Sequence, residues 1–155
     1  MIIEKLEELI SANEDFISIC EKITEYSQST RLMFMLESMK NLANNGRVNH
    51  IIAKMAGVLG IRLVGKASDN GALEPLSKCR GERKALESTF EHMKAEGYSG
   101  GKVIIAHCFN PDVANTLKKM IEKQFPLATI NSYTCRGLCS FYAEKGGFLI
   151  GFEAE

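Results

Sequence analysis

The sequence predicts a two-layer α/β (α+β) sandwich: one mixed six-stranded sheet with helices covering at least one of its faces. Three observations lead there. Six short apolar runs have the length and character of strands. Apolar stripes at helical spacing lie between most of them. One pair of strands is joined by a hairpin signal while others need crossover helices, so the strand directions must be mixed.

Ile2, Ile3, Leu6, Leu9 and Ile10 fall on one face of a first helix. After the cap region Asn13-Glu14-Asp15, the stripe Phe16, Cys20 and Ile23 predicts a second, broken by Ser27-Gln28-Ser29-Thr30. Leu32-Met33-Phe34-Met35-Leu36 is a continuous apolar run, expected to be a strand buried on both faces. A short helix through Met39 and Leu42 should stop at Asn44-Asn45-Gly46, because Asn and Gly tolerate the left-handed C-cap conformation. Val48, Ile51, Ile52, Met55 and Leu59 predict another helix, ending at Gly60. Residues 61–67 and 71–78 read as strands joined through Asp69-Asn70-Gly71, since Asn and Gly accept positive φ. Residues 81–97 form an amphipathic helix with Leu86, Phe90 and Met93 on one face, and residues 103–106 a buried strand. Asn110 can cap the next helix and Pro111 suits its first position; Val113, Leu117, Met120 and Ile121 are its apolar stripe. Residues 127–134 read as a fifth strand, 138–145 as a short helix or turn, and 148–153 as a sixth strand.

Composition narrows the functional classes. The chain is 45% hydrophobic and 25% charged, with 19 Lys+Arg against 19 Asp+Glu. The zero net charge and the lack of a dense basic run argue against a nucleic-acid partner, which calls for a cationic excess. No segment approaches the ~20 apolar residues of a membrane span. Glu4, Lys5, Glu7 and Glu8 interrupt the first apolar stretch, so it does not read as a signal peptide. The five cysteines, Cys20, Cys79, Cys108, Cys135 and Cys139, are odd in number and irregularly spaced, which fits a reducing, cytoplasmic compartment. They read mainly as small buried apolar residues, and no metal-ligand spacing is present. No phosphate loop or catalytic constellation is visible; His50 and His92 lie on predicted helices, and His107 ends a strand.

Three clusters are candidates for a site. In Asn44-Asn45-Gly46-Arg47-Val48-Asn49, a helix C-cap explains the Asn-Gly pair but not Arg47. In Lys78-Cys79-Arg80-Gly81-Glu82-Arg83-Lys84, basic residues including Arg80 gather near a helix N-terminus; a solvated face with an Arg83–Glu87 pair is the plainer reading. Between Tyr133 and Phe148, hydroxyl, charged and glycine residues precede an apolar strand. Arg136, Glu144, Lys145, Gly146 and Gly147 belong to this third cluster, the best candidate for a site rim.

The ordered set of these motifs resembles the DegV family. A leucine-containing short helix leads to Gly46-Arg47-Val48, then to an apolar helix ending Leu59-Gly60-Ile61. Two strands around a glycine turn lead to Lys78-Cys79-Arg80-Gly81, and the run Arg136 to Phe152 resembles one branch of the family closely. The resemblance covers residues 30–153 in order. It implies residues 1–29 as an N-terminal helical segment and residues 30–155 as a DegV-like C-terminal lipid-binding domain, truncated with respect to the family's N-terminal domain. That C-terminal domain is a two-layer sandwich with a six-stranded mixed sheet that houses much of an acyl tail. The implied function is that of a bacterial-type carrier: it binds a long-chain fatty acid and presents it to a fatty acid kinase, with no catalysis or cofactor of its own. Arg47, Arg80, Arg136, Glu144, Lys145, Gly146 and Gly147 are the implied ligand-binding residues. Many members carry His-x-Gly-Pro-Gly before the last strand, where this chain has Glu144-Lys145-Gly146-Gly147-Phe148, so a carboxylate stands where an imidazole helps hold the head group. Burying a dozen or so methylenes at ~0.8 kcal/mol each would contribute about 10 kcal/mol gross. Without its partner domain the groove would expose apolar surface, so a homodimer is expected. Two other readings stand beside this one: a stand-alone regulatory or oligomerisation module binding a small acid through the Arg47 and Arg80 clusters, and an enzyme using Cys135, Cys139 or His107.

Overall fold

A computed structural model describes residues 1–48, 60–68 and 70–155. Two helices open the chain, α1 (Ile2–Ser11) and α2 (Phe16–Gln28), followed by β1 (Thr30–Leu36) and the short α3 (Lys40–Asn44). The hairpin β2 (Ile61–Ala67) and β3 (Leu73–Arg80) leads to α4 (Glu82–Ala95). Then come β4 (Val103–His107), α5 (Pro111–Gln124), β5 (Ile130–Thr134), α6 (Gly137–Ala143) and β6 (Phe148–Glu153). The helix expected through Ile51, Ile52, Met55 and Leu59, and with it His50, lies outside the described residues, as does Asp69.

The six strands form one sheet in the order β3-β2-β1-β6-β4-β5. Only β4 and β5 run parallel, joined by the crossover helix α5; every other neighbouring pair is antiparallel. The mixed sheet expected from the hairpin and crossover signals is therefore the observed one. Alternation along the strands divides the faces. Met33, Met35, Val64, Val103, Ile105, Phe148, Ile150 and Phe152 point to the face packed by α4 and α5. There they meet Leu86, Phe90 and Met93 of α4, and Val113, Leu117 and Ile121 of α5, the helical stripes read from the sequence. Full burial of such side chains contributes about 1.5–3 kcal/mol each. Among the described residues, the opposite face is packed at one end, where Phe34, Leu36 and Leu63 meet Met39, Leu42, Cys108, Cys135 and Ala143.

Local signals explain most boundaries. Asp15 accepts the backbone N–H groups of Ile17 and Ser18 at 3.0 and 3.2 Å and starts α2. At the end of α3, Gly46 at φ +67° allows Gly46 N–H to reach Ala43 O and Arg47 N–H to reach Leu42 O, the paired bonds of a Schellman motif. Three details differ from expectation. Leu32 is 44% exposed, because the face it occupies is open there; Met33 to Leu36 are buried. The hairpin strand begins at Leu73 rather than Gly71, because Ser68 and Ala72 close the turn through two hydrogen bonds. The fifth strand begins at Ile130, because Ala128 N–H turns back to Phe125 O and leaves Leu127 almost fully exposed.

Candidate functional site: an open sheet face beside a glycine turn

The uncovered part of the sheet forms the floor of a cavity of about 1060 Å³. Leu32 of β1, Ile104 and Ala106 of β4, and Leu149 and Gly151 of β6 line it. These residues alternate with the buried core residues of their strands, so the pleat that fills the helical face also makes this one apolar. Met1 and Ile2, at the start of α1, contribute to its wall, as does Cys139 from α6. Toward β2 and β3 the lining becomes polar, with Lys66, Ser68, Asn70 and Glu74. The volume matches the upper end of the ~300–1,000 Å³ usual for small-molecule sites.

Small residues set the depth. Gly151 and Ala106 leave the floor low between larger neighbours. Gly65, also on this face, has the Phe34 ring where a Cβ would stand, 2.3 Å from the nearest ring carbon, so the aromatic lies flat across β2. Tethers hold α1 at its post. Lys102 binds Glu4 at 3.1 Å, and the N-terminal ammonium binds the same carboxylate oxygen at 3.1 Å. Those two partners hold the Glu4 carboxyl below its ordinary range, with the Lys102 hydrogen bond the larger cause. Tyr26 of α2 donates to Glu153 of β6 at 2.7 Å.

The glycine turn before β6 is built from three directions. Gly146 N–H donates to Cys108 O, Cys108 N–H donates to Gly147 O, and Asn110 Nδ2 donates to Gly146 O at 2.9 Å. Asn110 precedes α5 as expected, yet its side chain serves this turn rather than capping the helix. Gly146 sits at φ +94° with the Glu37 carboxylate against it; a Cβ there would lie 2.6 Å from Glu37 Cδ. Glu37 is held in turn by Arg62 at 2.6 Å, and Arg62 also reaches Glu82 at 3.3 Å. Glu144, at φ +53°, spends its carboxylate on the backbone N–H of Asn41 at 2.9 Å and so caps α3 from across the chain.

The registers bring all seven sequence-predicted site residues to one end of the sheet, but not to one point. Glu144, Lys145, Gly146 and Gly147 stand together before β6, with Lys145 exposed and both glycines buried. Arg80 ends β3, one outer strand, and Arg136 follows β5, the other; both are exposed. Five strand spacings separate those outer strands, roughly 24 Å at about 4.8 Å each. Arg47 follows α3 and is exposed. None of the seven lines the cavity. Sequence reasoning missed Leu32, Ile104, Ala106, Leu149 and Gly151, although their alternation with core residues was there to be read; it also missed Glu37 and Arg62. Arg83 pairs with Glu87 at 2.8 Å, the plain reading of the second cluster.

The groups singled out for catalysis are differently placed. His107 is buried, and its Nδ1 accepts the Asn110 N–H at 3.3 Å. Burial pushes the Cys135 thiol up to about 11, the opposite of an activated nucleophile, and raises Cys108 as well. Among the described residues, no three His, Cys, Asp or Glu are grouped to hold a metal ion. Among those residues too, no helix is long and apolar enough to cross a membrane.

The family model described as "Uncharacterised protein, DegV family" matches residues 1–155. The chain belongs to the DegV family. DegV domain-containing proteins of Streptococcus pyogenes and Streptococcus gordonii are 44% and 41% identical to it, each over 99% of this chain and 55% and 54% of their own length. The chain thus spans about half the length of the curated DegV relatives it matches. Among solved structures, the Streptococcus pneumoniae Fatty Acid Kinase (Fak) B3 protein loaded with linoleic acid superposes at TM-score 0.97 with 40% identity, over 99% of this chain and 55% of that one. A DegV family protein from Eubacterium eligens loaded with heptadecanoic acid gives TM-score 0.96 and 40% identity, over 99% of this chain and 56% of that one. These DegV structures share the mixed six-stranded sheet and its helices.

Proposed function

We propose that this chain is the acyl-tail side of a long-chain fatty acid carrier that presents its ligand to a fatty acid kinase and performs no chemistry itself. The observation that carries the reading is the apolar floor of the cavity on the open sheet face, formed by Leu32, Ile104, Ala106, Leu149 and Gly151. A floor without charge suits methylenes, which gain about 0.8 kcal/mol each on leaving water. The likeness to two proteins loaded with fatty acids, at 40% identity over nearly all of this chain, supports it. The head group would lie toward the sheet end that bears Lys145, Gly146 and Gly147, with Glu144 occupied in capping α3. The spread of Arg47, Arg80 and Arg136 along that end suits a contact with a partner protein or domain better than one small anion. Residues 1–29 act as the helical wall of the site and residues 30–155 as its lipid-binding domain.

Native mass spectrometry with lipid extraction tests this on the chain alone and joined to the N-terminal domain of a DegV relative. The expected result is one long-chain fatty acid per joined molecule, lost when Leu149→Glu places a carboxylate in the floor. Leu149 is only half-buried, so the variant keeps its fold, which circular dichroism checks. Retention unchanged by Leu149→Glu, or absence of lipid from both forms, would overturn the proposal.

A further inference from the structure

The apolar floor of the open face ends in a pit one residue wide. Leu149, Gly151 and Glu153 of β6 share this face, alternating with the buried Phe148, Ile150 and Phe152. Leu149 pairs with Phe34 of β1 and Ala106 of β4. Gly151 pairs with Leu32 of β1 and Ile104 of β4, so it lies bare between two branched side chains, with a wall on either hand. Met1 stands over it: a Cβ on Gly151 would lie 3.2 Å from Met1 Sδ. Glu153 closes the far end. One of its carboxylate oxygens accepts the Tyr26 hydroxyl at 2.7 Å, and the other accepts the Lys102 N–H at 2.7 Å. The pit opens toward Leu149 and Ala106, the rest of the floor.

We propose that this pit receives the methyl end of the acyl chain, and that Gly151 and Met1 together set the chain length the protein prefers. The inference rests on the carrier reading above. The lining orients the chain. The walls offer carbon, and the methionine thioether is a soft surface that adapts to an apolar neighbour. A fatty acid carboxylate placed here would face the carboxylate of Glu153. The cations at this end are engaged: Lys102 Nζ binds Glu4 at 3.1 Å, and the Arg31 guanidinium donates to Gln28 O and Thr30 O at 2.6 and 3.0 Å. The tail, not the head group, therefore suits the pit. The same end also stops it. A chain running past Gly151 would have to part Glu153 from Tyr26 and Lys102 and leave a carboxylate against methylenes without its hydrogen bonds, which is costly. Up to that point each methylene gains by leaving water. The length that fills the floor and halts beneath Met1 is thus the one favoured.

The test offers an equimolar mixture of myristate, palmitate and stearate to the chain joined to the N-terminal domain of a DegV relative, a form in which Met1 is an internal residue. Native mass spectrometry with lipid extraction reads the ratio of stearate to myristate bound. Gly151 lies within regular strand, and alanine there asks only that the Met1 side chain yield by a few tenths of an ångström, so the fold is kept. Gly151→Ala raises the base of the pit and should lower the ratio by about fourfold or more, the effect of one methylene losing its place. Met1→Ala lifts the roof and should raise the ratio by a similar factor. An unchanged or reversed ratio in either variant, with fatty acid still bound, would overturn the proposal and leave the carrier reading standing. So would loss of all three acids from Gly151→Ala. Absence of lipid from the unaltered joined chain would overturn both.

Discussion

An alanine at position 146 would need φ +94° and a methyl group 2.6 Å from the Glu37 carboxyl carbon. The first demand costs about 1–2 kcal/mol for an L-residue. The second displaces a carboxylate that Arg62 holds from behind. Gly46, at φ +67°, has open space where a methyl group would stand, with nothing within 4 Å, so only the first cost applies there. Urea denaturation should therefore show Gly46→Ala losing about 1–2 kcal/mol and Gly146→Ala losing more. Equal losses would mean that Glu37 moves aside freely. Tyr98 gives a second prediction. Its hydroxyl donates to Gly101 O at 3.1 Å, and its ring meets Phe125 and Phe152 edge-on. Burial, with Glu153 adding to it, pushes the phenol from 10.0 up to about 12. The folded chain thus holds this proton more tightly than the unfolded chain. Its contribution is whole below the unfolded value and is lost as pH rises through the folded one. Stability measured by denaturation should fall between about pH 10 and 12, and Tyr98→Phe should flatten part of that fall.

At the scale of elements, α1 is tied to the rest of the chain by an ion pair. Only Leu9 of its residues is buried, and the Glu4–Lys102 pair joins it to the segment before β4. Glu4 titrates below 4.5 because its partners favour the carboxylate. The tether is complete above that value and is lost as pH falls through the lowered one. Hydrogen exchange should show α1 amides losing protection in acid before those of α4, and Glu4→Gln should make α1 equally unprotected at neutral pH. If α1 and α4 lose protection together, α1 is held by its apolar contacts instead. This marginal helix was still legible in the sequence, because Ile2, Ile3, Leu6, Leu9 and Ile10 repeat at helical spacing. The stripes of α4 and α5, the six strands and the Gly46 stop were legible for the same reason: periodicity and glycine act over a few residues. What failed needed distant partners. Asn110 has a side chain suited to a cap, and only the fold reveals that Gly146 O claims it. Leu32 lies in an unbroken apolar run, and nothing local says that one side of that run stays open. The glycine turn was readable as a turn, but its Glu37 and Arg62 support comes from strands far back in the chain.

Among the described residues, two helices cover one sheet face, and much of the other is left to α1, α3, α6 and the cavity. Leu32, at 44% exposure, marks apolar surface that water does not favour, and Leu138 and Phe141 on α6 add to it at 68% and 46%. We expect isolated chains to bury this surface against one another. Sedimentation velocity should show an average mass rising with concentration, reduced by Leu32→Lys and by saturating oleate. A single monomer boundary at all concentrations would contradict this. If Leu32→Lys suppresses association while oleate does not, the contact lies on the same face but outside the acyl site.

The sheet order also bears on how the chain reaches its fold. β6 lies between β1 and β4, with Thr30 paired to Glu153 and Val103 to Phe152. During synthesis the strands that flank this slot emerge first and wait, each with one hydrogen-bonding edge unsatisfied and an apolar side chain row on both faces. Closure of the sheet is thus a late event that joins residues distant in the chain, the slow step expected of a high contact order. In that interval β1 and β4 are open templates for any extended segment nearby. Nascent chains that stall short of residue 148 should therefore be clients for chaperones, whereas chains released after residue 153 should not.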